Sequence, residues 1–76
     1  MRLKELREDN DYTQKYIANV LHCKQNTYSQ YETGSRALPI SAMITLANLY
    51  KTSIDYLLDV TDEKKPYPKK ENTKDS

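Results

Sequence analysis

The sequence predicts an all-α fold: one compact domain of five short helices over residues 1–61, with a flexible charged tail over 62–76. Three observations carry this. Val, Ile and Thr do not alternate over any useful stretch, so no strand is expected. Apolar residues recur at helical spacing in five places along the chain. Residues that cap or break helices fall between those places, from Asn10-Asp11 to Ser53. At 76 residues the chain holds one small domain at most. A core of that size supplies a net stability of only about 3–5 kcal/mol.

The elements follow in order. Leu3 and Leu6, with Arg7 beside them, line one face of a first helix. Asn10 and Asp11 end it, because short polar side chains compete for the backbone. In "TQKYIANVL", Thr13 is the expected N-cap and Ile17, Ala18 and Leu21 form the apolar face. "HCK" makes a turn. A third helix, "QNTYSQYET", runs to Gly34, which reads as its left-handed stop. After the loop "SRAL", Pro39 opens a fourth helix, with Ile40, Met43 or Ile44, Ala47 and Tyr50 expected inward. Ser53 caps a fifth, "IDYLLDV", with Asp55 favourable in its first turn. From residue 62 on there is no aliphatic side chain, which is the composition of a tail that cannot bury enough surface to order itself.

Composition excludes several classes of function. A chain with one cysteine, Cys23, and one histidine, His22, forms no internal disulfide and no tetrahedral zinc site of its own. No metal or cofactor is expected, and the lone thiol fits a reducing cytoplasm. No apolar run approaches the roughly 20 residues needed to span a bilayer, so no membrane is expected. No Ser/His/Asp set, carboxylate pair or phosphate-cradling glycine loop suggests an enzyme. The formal net charge is +1, and residues 1–61 balance seven basic groups against seven acids. Between Thr13 and Arg36, however, three basic groups face one acid.

The third helix raises the functional question, since it carries almost no aliphatic residue. Tyr28 and Tyr31 are expected to dock inward on Ile17, Leu21 and the fourth helix. Gln25, Asn26, Ser29 and Gln30 then point outward. Two helices joined by a three-residue turn, the second polar on its outer side, describe a helix-turn-helix. A B-form major groove admits one α-helix, and amide side chains match the donor and acceptor pattern of base edges there. The plainer reading of the same residues is a solvated face.

The stretch "TQKYIANVLHCKQNTYSQYETGSRALP", followed by "LANLYKTSIDYLLD", resembles the Cro and phage-repressor helix-turn-helix family, also called the xenobiotic-response-element type. The resemblance implies a lambda-repressor-like DNA-binding domain, with the helix-turn-helix at about residues 13–33. It assigns base reading to Gln25, Asn26 and Gln30. Gln14 is expected to touch backbone phosphate and brace the first reading residue, and Thr27 and Arg36 to face phosphate. Ala18 matches the small residue where the two helices cross, and Arg7 and Glu32 are expected to pair between the first and third helices. Two positions depart from the pattern. His22 stands where glycine is usual, at a site of left-handed backbone. Lys24 stands where a Ser or Thr cap is usual, which weakens the cap by ~1 kcal/mol and adds a phosphate contact.

The function expected from all this is a sequence-specific, double-stranded-DNA-binding transcriptional regulator. It would be a repressor, acting as a homodimer on a palindromic operator, with "IDYLLDV" as the two-fold contact. The alternative is a protein-interaction module, such as an antitoxin or adaptor, that keeps the fold without the DNA.

Overall fold

A computed structural model describes residues 1–61, and the segment 62–76, expected as a tail, lies outside the described residues. Among the described residues there are five α-helices and no strand: α1 (Leu3–Asp9), α2 (Gln14–Val20), α3 (Gln25–Thr33), α4 (Ile40–Leu49) and α5 (Ile54–Leu57). Two of the expected caps are in place. Thr13 Oγ1 accepts from the Tyr16 amide at 3.0 Å, and Ser53 Oγ accepts from the Tyr56 amide at 3.0 Å. Lys24 sits at the N-cap of α3 with no side-chain capping bond.

The core gathers one face from every helix. Leu3 and Leu6 of α1 meet Ile17 and Ala18 of α2, Tyr28 of α3, Leu46 and Ala47 of α4, and Tyr56 and Leu57 of α5. Tyr28 is fully buried, and Tyr31 packs against the cluster from its edge. Both tyrosines therefore serve packing, and their rings meet edge-on with centroids 6.4 Å apart.

Two expectations are corrected. The inward face of α4 is Ala42, Leu46, Ala47 and Tyr50; Ile40 is 71% exposed and Ile44 48% exposed. The reason is the approach to the helix. Leu38 is buried just before Pro39, and Pro39 is the N-cap rather than the first helical residue, so the stripe starts later than expected. The fifth helix is short. It stops at Leu57, and Asp59 turns left-handed at φ 63°.

Every helix ends on a left-handed residue: Asp11, His22, Gly34, Lys51 and Asp59. At the four non-glycine stops the geometry is the same. After α2, the His22 amide donates to Asn19 O at 3.1 Å and the Cys23 amide to Ala18 O at 2.9 Å. This is the double bond of a Schellman motif, which satisfies carbonyls that would otherwise be orphaned at the helix end. His22, at φ 57°, holds the position expected of it.

Candidate nucleic-acid interface

The site is built on a buried ion pair. Arg7 Nε donates to Glu32 Oε2 at 2.6 Å and Nη2 to Oε1 at 3.3 Å. The side chains are 12% and 5% exposed. The third guanidinium nitrogen, Nη1, donates to Tyr12 O at 3.0 Å, in the turn between α1 and α2. Gln14, first residue of α2, donates from Nε2 to Glu32 Oε1 at 3.0 Å. One carboxylate at the end of α3 thus fixes the end of α1, the following turn and the start of α2. The geometry suits a helix pair that must present a rigid surface.

Protonation follows from these contacts. Burial works against the charged form of Glu32, but the hydrogen bonds from Arg7 and Gln14 and the charge of Arg7 outweigh it. The carboxyl is held below its ordinary value near 4.5. The hydrogen bond to Glu32 raises Arg7 above the usual arginine range, and burial only partly opposes it. Burial pushes the phenols of Tyr28 and Tyr50 upward, and the negative charge of Glu32 adds to this. The Tyr28 hydroxyl feels that charge without meeting hydrogen-bond geometry, and neither it nor the Tyr50 hydroxyl has a partner among the described residues.

The outer side of α3 is polar as expected. Gln25 and Asn26 are exposed, and Thr27, Ser29 and Gln30 are half-exposed. Lys15, Lys24 and Arg36, in the same stretch of the chain, are exposed as well. Because Glu32 is turned inward onto Arg7, the one acid in this stretch does not offset those three cations at the surface. The near-zero total charge of the domain hides this local imbalance.

Two expected site residues are engaged within the protein. The Gln14 amide nitrogen is directed to Glu32, not toward Gln25. Gln30 Oε1 accepts from Arg36 Nε at 2.9 Å. The first bond was not legible in the sequence, since it needs the tertiary approach of residues 18 positions apart. A cleft of about 230 Å³ between the turn and α4, lined by Val20, Leu21, Cys23, Tyr31 and Ala42 among others, takes in none of the α3 amides. The candidate site is a surface and not a pocket.

A helix-turn-helix family model matches residues 3–57, which is most of the chain. The chain belongs to the Cro/phage-repressor type of helix-turn-helix family. The helix-turn-helix is also shared with curated proteins of Bacillus subtilis. The chain is 32% identical over 74 residues to the uncharacterized HTH-type transcriptional regulator YobD, covering 97% of this chain and 66% of that protein. It is 36% identical over 67 residues to the HTH-type transcriptional regulator AnsR, 88% of this chain and 58% of that one. With the HTH-type transcriptional regulator ImmR it shares 44% identity over 57 residues, 75% of this chain and 45% of that one. The chain therefore spans between about half and two-thirds of the length of these relatives. No solved structure matches the chain significantly.

Proposed function

We propose that the protein is a sequence-specific double-stranded-DNA-binding transcriptional regulator that acts as a repressor. The observation that carries this reading is the outer face of α3. Gln25 and Asn26 are exposed and Ser29 half-exposed, Lys15, Lys24 and Arg36 are exposed in the same stretch, and its one acid, Glu32, is turned inward onto Arg7. Amides and hydroxyls read base edges, whereas the cations set position on phosphate without sequence preference. The relatives' names, each an HTH-type transcriptional regulator, support the same class.

Gln25, Asn26, Ser29 and Gln30 are assigned to bases, and Gln14, Lys24, Thr27 and Arg36 to the backbone. One such helix reads only a few base pairs, so a symmetric homodimer on a palindrome is the working form, with recognition helices roughly 34 Å apart. Ile54, Leu58 and Val60 provide apolar surface for a two-fold contact. Tyr56 and Leu57 of the same segment are buried in the core of the single chain.

Selection of bound duplexes from a random library tests this reading. A palindromic consensus is the expected result. A mobility shift against random duplex at low salt separates it from the protein-interaction module, which binds no DNA under any salt condition. Absence of both signals overturns the DNA-binding reading.

A further inference from the structure

Arg36 lies two residues beyond the left-handed Gly34 and folds back onto the last turns of α3. Two bonds hold it there, both to Gln30. The Arg36 backbone amide donates to Gln30 O at 3.2 Å, and Nε donates to Gln30 Oε1 at 2.9 Å. The nitrogens of a guanidinium carry only hydrogens, so the amide atom facing Arg36 has to be the oxygen. The partner thereby decides which way the Gln30 amide is turned.

That orientation changes what Gln30 offers. A free glutamine amide presents one acceptor and one donor side, and its bidentate match in the major groove is adenine, with N6 donating and N7 accepting. Here one of the two lone pairs of the acceptor is taken by Arg36. The amide nitrogen of Gln30 and the Nη groups of Arg36 remain as donors, so the pair offers more donors than acceptors. Guanine presents two acceptors, N7 and O6, in the major groove, while adenine and cytosine each present an exocyclic amine. The bonds exist within the protein alone, so the arrangement is available before DNA arrives and lowers the ordering cost at the moment of binding.

We propose that Gln30 and Arg36 act as one reading unit that shows mainly donors to the groove and selects guanine over adenine at one position of each half-site. This rests on the DNA-reading role of α3 proposed above. Arg36 is then a positioning residue for Gln30 as well as a cation near the backbone.

The test measures binding of the wild type, Arg36→Ala and Gln30→Ala to the selected operator and to its single-base variants. In the wild type, guanine should exceed adenine by about ten-fold or more at one half-site position, the range of one good base contact. Gln30→Ala should flatten that same position. Arg36→Ala should shift it toward adenine and leave the other positions unchanged. In the free protein, Arg36→Ala should also move the side-chain amide resonances of Gln30. A uniform loss of affinity with the base profile unchanged would make Arg36 a phosphate contact alone and overturn the proposal. So would an adenine preference in the wild type at the position Gln30 reads, or amide resonances that stay in place. Should the wild type select no sequence at all, the DNA-reading role itself fails, and the reading unit with it.

Discussion

Glu32 decides more about this molecule than any other single side chain. It takes two hydrogen bonds from Arg7 and one from Gln14 in a nearly closed site. Removing one partner of such a pair strands the other charge, at about 3–5 kcal/mol. Glu32→Ala should therefore lower the melting temperature by more than about 10 °C in a domain of this size, while exposed Glu8→Ala should hardly change it. Equal small shifts in the two variants would show that the pair contributes little. The depressed carboxyl also predicts a pH dependence with a definite sign. A group whose folded pKa lies below its unfolded one stabilises fully above the unfolded value, here near 4.5, and loses that stabilisation as pH falls through the lower folded value. Thermal melts of the wild type should lose stability steadily below about pH 5, and Glu32→Gln should show a flatter profile over the same range. Tyr50 makes the opposite case. Its buried hydroxyl lacks a partner among the described residues, and such a group is a desolvation penalty. Tyr50→Phe should be neutral or stabilising, and a loss above about 1 kcal/mol would point to a hydrogen bond formed in solution.

At the scale of the element, the recurring device is the left-handed stop. Four of the five stops are Asp, His or Lys, in a chain whose only glycine is Gly34. A side chain in that conformation carries a Cβ penalty of roughly 1–2 kcal/mol, which glycine escapes, though glycine loses more freedom on folding. His22→Gly should thus be neutral or stabilising by under about 1 kcal/mol. His22→Val should be clearly destabilising, since a β-branched residue is a genuine outlier there. Chemical denaturation of the two variants checks this, and equal midpoints would contradict the left-handed geometry of the turn. The turn matters to function because His22 and Cys23 set the angle between α2 and α3. A relaxed turn would move the amides of α3 relative to Gln14 of α2, the residue proposed to face the DNA backbone.

Across the whole molecule, the layout separates reading from holding. Glu32, the one acid in the stretch Thr13–Arg36, is neutralised inside by Arg7, which leaves the exposed charges of that stretch positive. The N-terminal segment is tied to α5 at the other end of the chain. Arg2 donates from its backbone to Leu57 O at 2.9 Å and from Nε to Tyr56 O at 3.0 Å, and it pairs with Asp59 at 2.9 Å. This closure lets a short α5 of four residues hold its place. The separation predicts two kinds of DNA-binding variant. Gln25→Ala should cost about 1–3 kcal/mol on the operator and relax preference at one base position. Lys15→Ala should weaken all sequences alike and lower the salt slope by about one unit. Both must first melt like the wild type. A Gln25 variant with an unchanged base profile would remove that residue from the reading set.

The sequence by itself determined the class of fold, the order of five helices, the two side-chain caps and the stop at Gly34. These depend on neighbours within a few positions, where propensity and capping chemistry act directly. It also marked the polar face of α3, because a helix with so little aliphatic surface has to be explained by what it touches, and its resemblance to a known family pointed to the left-handed turn at His22 and to the Arg7–Glu32 pair. Tertiary structure alone decided the rest. The inward face of α4 depends on where Leu38 enters the core, so Ile40, apolar and well placed by spacing, lies outside. The stops at Asp11, Lys51 and Asp59 carry no glycine signal, because the Schellman bonds that hold them are formed by carbonyls of the helix and not by the residue at the stop. The direction of the Gln14 amide, and the bond from Arg36 that turns the Gln30 amide, follow from approaches across a folded surface. A linear pattern records which groups are present. Which of their hydrogen bonds are already taken is settled only when the chain brings their partners within about 3 Å.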